Sequence, residues 1–296
     1  MAFRIFCTPE LSQYRTPDHH LLTERARFHL RHAKWERVAT PVGVVQSYVF
    51  EPDGADTGTE RGTVLLVHGW TSEAAFMTAF IEPLRRSGLR VVAFDFPAHG
   101  FSHGRRTNLA DCARAMRAVC DHYGPIYAAV AHSFGGFVSL LVAEGGPPLQ
   151  RVTPIERFVL LACPNRLAGV TRDFGGQLGL GARAQRVYEH HLERVGHRPV
   201  ATFSAAALLS KVGAPALIVH GRDDREVPFR NAEEIVAACP NARLMSFEGM
   251  GHRTILYAPP VFRAVMGELA PARAAQEPPA PTRPGVGERQ SADAST

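Results

Sequence analysis

A chain of 296 residues that is 45% hydrophobic and 8% aromatic carries enough apolar side chain for one large core or two small ones. Its formal net charge of +5 comes from arginines spread along the chain, with Lys34 and Lys211 the only lysines, so no concentrated basic face for nucleic acid is expected. No apolar run approaches the roughly 18 residues of a membrane span. The five cysteines (Cys7, Cys112, Cys120, Cys163, Cys239) form neither a CxxC pair nor a metal-ligand spacing; they are expected to be reduced and buried, with no metal and no organic cofactor.

The first residues, MAFRIFCTPE, lack the apolar core and cleavage site of a signal peptide, so a cytoplasmic location is expected. Residues 1–34 read as a partly helical N-terminal extension. The densest basic stretch, TERARFHLRHAKWER (23–37), reads as the solvated face of a helix rather than a membrane-binding surface. WERVAT (35–40) and GVVQSYVFEP (43–52) then predict a β-hairpin turning at Pro41-Val42-Gly43.

From residue 62 short apolar runs alternate with helical patterns. TVLLVHG (63–69), RVVAFDF (90–96), IYAAVAHS (126–133), RFVLLAC (157–163), PALIVHG (215–221) and ARLMSFEG (242–249) are continuously rather than alternately apolar, as strands covered on both faces must be. Helices are predicted over 73–87 with Ser72 as cap, over 109–122 with Asn108 as cap, and over 134–144 up to Gly145-Gly146. The fold class is therefore α/β, a mostly parallel central sheet with helices on both faces. Residues 164–210 break the rhythm with glycines and one amphipathic helix (183–195), and read as a small helical cap inserted above the sheet. Residues 271–296 are rich in proline and poor in large apolar side chains, and are expected to be disordered.

One junction raises a chemical question. In YAAVAHSFGGFVSL (127–140) a buried strand runs straight into a buried helix through a serine with small residues two places before (Ala131) and two after (Gly135). Ser133 could be an ordinary helix cap. The pattern also matches a nucleophile elbow, usual form G-x-S-x-G, with Ala131 in place of the first glycine.

With that elbow following its strand, the chain resembles the α/β-hydrolase family over roughly residues 40–268, and 35–268 is expected to form one such domain. The resemblance implies a catalytic triad in the chain order Ser, acid, His. GRDDREVP (221–228) is similar to the family's acid loop, in which an Asp stands three places before Val-Pro; Asp224 fits, with Asp223 as rival. FEGMGHR (247–253) is similar to the histidine loop, making His252 the candidate base. In VHGWTS the family places its oxyanion residue after His-Gly, which implies backbone N–H donors at Trp70 and at Phe134, directly after the nucleophile. FDFPAHGFSHG (94–104) resembles the family stretch D-x-x-G-x-G-x-S and is expected to brace the loops beneath the site. His132 and His103 could touch substrate, yet both lie outside the loop expected to carry the base.

A serine at position 133 removes the haloalkane and epoxide chemistries of the family, which use a carboxylate nucleophile. What the resemblance then implies is a serine hydrolase for esters of small or medium acyl groups, a small-molecule substrate. A carbon–carbon bond hydrolase, a thioesterase or lactonase, and an acyltransferase stay open on the same triad, as does a non-catalytic receptor on this scaffold. Leu167, Phe174, Leu178, Leu180, Val187 and Tyr188 of the presumed cap are candidates to set acyl-chain size.

Overall fold

Five of the six apolar runs form interior strands of an eight-stranded sheet, buried on both faces as expected, whereas the sixth, ARLMSFEG, is an edge strand and only partly buried, because no further strand covers its outer side. The computed structural model describes residues 1–9, 17–53 and 62–269, with side chains of the second segment described from Thr23 onward. The expected disorder of 271–296 lies outside the described residues. The strands are β1 (Lys34–Thr40), β2 (Gly43–Phe50), β3 (Thr63–Val67), β4 (Arg90–Phe94), β5 (Ile126–His132), β6 (Ile155–Leu161), β7 (Ala216–Gly221) and β8 (Ala242–Phe247), in the order β1-β2-β4-β3-β5-β6-β7-β8. The β1/β2 hairpin and the β2/β4 pair are antiparallel; every other pair is parallel.

The period-two alternation of strand side chains divides the core between the two faces. Leu65, Val67, Val92, Phe94, Ala129, Ala131, Phe158 and Leu160 enter one cluster, and Val64, Leu66, Val91, Ala93, Ala128, Val130, Val159 and Leu161 the other. The first face is covered by α4 (Leu109–Tyr123), α5 (Phe134–Glu144), α8 (Ala205–Val212) and α9 (Arg230–Ala238), the second by α3 (Ile81–Arg86) and α10 (Pro259–Leu269). α1 (Ala2–Phe6) lies against α7 (Ala182–Gly196), and α6 (Leu167–Gln177) also touches α7.

Three departures from the sequence reading have identifiable physical causes. The expected helix over 73–87 begins as 3-10 turns, Ala74–Phe80, with Glu73 rather than Ser72 at the cap position and no capping side chain. The orphan Ala74 N–H is instead taken at 2.8 Å by the buried Asp95 carboxylate, which fixes this segment from another loop. The fourth apolar run is in strand over Ile155–Leu161, two residues earlier than expected, because Ala162 turns to φ 50° and leaves the ladder. Within the stretch read as a cap, α8 packs on α5 and α9 in the helix layer of the sheet, so the part standing apart is shorter than 164–210.

The basic N-terminal stretch is also more than a solvated face. Arg27, on α2 (Pro17–Phe28), forks both oxygens of Glu73 at 2.6 Å, and its guanidinium lies over the Phe101 ring. All five cysteines are free and buried. Among the described residues no helix is long and apolar enough to cross a membrane.

Candidate active site

The candidate residues follow the carboxyl ends of β3, β5, β7 and β8; Asp224 and His252 meet in a hydrogen bond, and among the described residues the Ser133 hydroxyl makes none to His252. At the β5–α5 junction Ser133 has φ 50° and ψ −119°, a backbone that costs a non-glycine residue on the order of 1–3 kcal/mol. Its N–H donates to the Leu161 carbonyl at 2.8 Å, and its carbonyl accepts the Gly136 N–H at 3.0 Å, so the corner is held from both sides. The small residues around it answer to space. A Cβ on Gly135 would stand 2.5 Å from the His68 carbonyl oxygen and 2.6 Å from that of Val67, and one on Gly136 would reach Cys163 Sγ at 2.9 Å. Ala131, registered between Val67 and Leu160, fits its methyl into the core with no exposed surface.

Asp224 follows β7, and its carboxylate is fully engaged. Oδ1 accepts the Glu226 and Val227 N–H groups at 2.9 and 2.8 Å; Oδ2 accepts His252 Nδ1–H at 2.8 Å and lies 3.4 Å from His220 Nε2. Burial alone would raise its pKa, but the hydrogen bonds from His220, from His252 and from the Val227 N–H outweigh burial and hold the carboxyl well below the usual range. Because a carboxylate can only accept, His252 carries its proton on Nδ1 and presents a lone pair at Nε2. Asp223 does something different: its Oδ2 receives the Gly249 N–H at 2.6 Å and so shapes the histidine loop. That loop can approach because Gly221, at the end of β7, lies against the Met250 carbonyl, where a Cβ would collide.

His132 ties the histidine loop to the Ser133 corner. Its Nε2–H donates to the His252 carbonyl at 2.9 Å and the two rings lie 4.7 Å apart. Burial and the neighbouring His252 push its pKa down to about 3, so it is neutral. Its Nδ1 is buried without a partner and faces Gly69, where a Cβ would come within 2.8 Å.

The loop after β3 is braced from below. Buried His68 donates from Nδ1 to the Gly69 carbonyl at 2.7 Å and accepts the Phe96 N–H on Nε2 at 3.0 Å. Burial and nearby His99 keep it neutral, well below the ordinary histidine pKa. Asp95 accepts the Ala74 and Phe101 N–H groups at 2.8 and 2.9 Å and the Tyr48 hydroxyl at 2.7 Å. Burial raises its pKa to about 6. Trp70 follows Gly69, with its ring edge-on to Phe134 at 5.1 Å. Among the hydrogen bonds of the described residues none uses the backbone N–H of Trp70 or of Phe134.

The thiols are poor rivals to the serine hydroxyl, since burial pushes Cys7 and Cys120 up to about 12 and raises Cys163 as well. His220, the second imidazole on Asp224, was not singled out by the sequence. Its one signal is a polar residue at the carboxyl end of an otherwise apolar strand. His103 makes its recorded contacts through the backbone, to Val44 and Ala98. Among the described residues no group of three His, Cys, Asp or Glu side chains is placed to hold a metal ion.

The sequence profile of the alpha/beta hydrolase family matches residues 64–265, a span that encloses every one of these candidate residues. The chain belongs to that family. Among curated relatives of this hydrolase, the 2-hydroxy-6-oxononadienedioate/2-hydroxy-6-oxononatrienedioate hydrolase of Cupriavidus pinatubonensis is 26% identical, the match covering 67% of this chain and 82% of that one. The pimeloyl-[acyl-carrier protein] methyl ester esterase of Nitrosomonas europaea is 24% identical over 67% and 92% of the two chains. Among solved structures, Est1E from Butyrivibrio proteoclasticus superposes with a TM-score of 0.60 at 19% identity, over 79% of this chain and 96% of that one, which is a likeness of fold.

Proposed function

We propose that this alpha/beta hydrolase cleaves carboxylic esters of small or medium acyl groups through a Ser133–His252–Asp224 triad and an acyl-enzyme. The observation that carries the reading is the 2.8 Å bond from His252 Nδ1 to a buried Asp224 carboxylate, in a loop that His132 ties directly to the strained Ser133 corner. A neutral serine is a weak nucleophile, and an oriented imidazole with a free Nε2 lone pair is the base it needs.

Ser133 Oγ bonds to the acyl carbon while its proton passes to His252 Nε2, and the carbonyl π pair moves onto oxygen. The unengaged N–H groups of Trp70 and Phe134 receive that oxyanion. Asp224 stabilises the imidazolium without taking its proton. Return of the electron pair expels the alkoxide, which His252 protonates, and water then repeats the sequence to release the acid. The expectation that FDFPAHGFSHG braces the site is carried by Asp95 and His68, which tie three loops together beneath it.

A carbon–carbon bond hydrolase is the second reading, favoured by the name of the Cupriavidus relative. Against it stands the aromatic surface beside Ser133, made by Trp70 and Phe134, which would desolvate the carboxylates of a dianionic substrate. A panel of esters, thioesters, lactones and vinylogous diketones tests both readings. Turnover of short esters that falls on the order of 10⁴ to 10⁶-fold in Ser133→Ala supports the proposal; turnover of the diketones alone overturns it.

A further inference from the structure

We propose that Phe6, on the N-terminal helix α1, is a specificity-determining wall of the acyl pocket; this rests on the ester-hydrolase reading. The reaction itself sets the direction of the acyl group. His252 must protonate the departing alkoxide, so the leaving group lies on the imidazole side of Ser133, while the oxygen is held between the Trp70 and Phe134 N–H groups. The acyl chain is thereby turned away from His252, and the rings carried by the two oxyanion residues are the candidates to meet it.

On that side the rings form a continuous cluster. Trp70 is edge-on to Phe134 at 5.1 Å and stacked with Phe6 at 6.1 Å; Phe6 in turn meets Phe174 edge-on at 5.0 Å and Tyr188 edge-on at 5.5 Å. Phe6 is thus the ring that joins the loop after β3 to the helices α6 and α7, and it alone of the five comes from outside residues 35–268. It is only partly buried, as a ring bordering a substrate space should be. Two contacts hold it there. The Cys7 carbonyl accepts the Thr107 N–H at 2.9 Å just before α4, and Phe3 lies 5.6 Å from the His191 ring on α7. The N-terminal extension thereby contributes one ring to a cluster otherwise built by the loop after β3, α5, α6 and α7.

The test is the ratio of kcat/KM for nitrophenyl octanoate to that for nitrophenyl acetate in the full chain. Phe6→Ala is expected to raise this ratio at least about tenfold and Phe6→Trp to lower it, in line with the 10 to 200-fold effect that a change in an apolar pocket wall produces. Phe6→Leu, with an intermediate rise, serves should the alanine variant fold poorly. A ratio within twofold of wild type in these variants, with acetate turnover retained, overturns the role of Phe6 alone. Absence of turnover on every ester by the wild type overturns the hydrolase reading and this inference together.

Discussion

Gly135 shows how little freedom the elbow leaves. An added methyl would press on the carbonyl oxygens of Val67 and His68, backbone atoms with nowhere to go. Gly135→Ala should cost about 1–3 kcal/mol by urea denaturation and slow Ser133 chemistry further by tilting α5 away from β3. The two aspartates separate in the same way. Asp224→Asn should lower kcat on the order of 10⁴-fold by fixing the wrong His252 tautomer. Asp223→Ala removes only the acceptor of the Gly249 N–H and should cost less than about tenfold, which steady-state kinetics on the two variants will read. At this scale the sequence was legible where residue type is forced by space: the tight corner at Ser133 and the glycine at 135 are what the strand-to-helix pattern predicts. Asp224 over Asp223 as the partner of His252 was readable only as a spacing; His220, four residues before Asp224, carried one weak signal, a polar residue ending an apolar strand, and Phe6 carried none, since the rings it meets lie far away in the chain.

At the level of elements, what fixes the site loops is a set of hydrogen bonds between segments rather than propensity within them. Asp95 takes donors from the 3-10 segment, from the loop after β4 and from Tyr48 on β2. Asp95→Ala would leave two buried donors and a partly buried one unpaired, and a loss of at least about 2 kcal/mol is expected in chemical denaturation. By contrast the Asn108 cap of α4 is local, its side chain accepting the Asp111 N–H at 3.0 Å; Asn108→Ala should cost about 1 kcal/mol. The same contrast explains which elements could be read. The hairpin, the apolar strands, α4 and α5 follow from local pattern and caps. The 3-10 course of 74–80 does not, because Asp95, some twenty residues on, displaces the expected cap.

For the whole molecule, buried titratable groups set the pH range. His68 and His132 have pKa values depressed by burial, so between their ordinary value near 6.5 and their folded values the unfolded chain binds more protons. The stability they contribute is full above about 6.5 and is lost on acidification. Asp95, raised to about 6, works in the opposite sense between 3.8 and 6, but it is one group against two. Asp224, depressed, adds its own loss once pH falls below its ordinary 3.8. Urea midpoints should therefore fall from pH 7 toward pH 4, with a shallower slope in His132→Gln; a midpoint that rises with acidification would show that Asp95 dominates. The architecture as a whole was legible because continuous apolar strands admit few arrangements other than a covered parallel sheet. The seat of α1 against α7 was not, since nothing in MAFRIF states which rings it will meet.

The central claim, that an imidazole oriented by Asp224 activates Ser133, is tested most directly by labelling with a fluorophosphonate followed by peptide mass spectrometry. One adduct on the Ser133 peptide of the wild type is predicted, absent in Ser133→Ala and formed at least about 10³-fold more slowly in His252→Ala. An unlabelled Ser133 in the folded wild type, or labelling of His252→Ala at the wild-type rate, would contradict it.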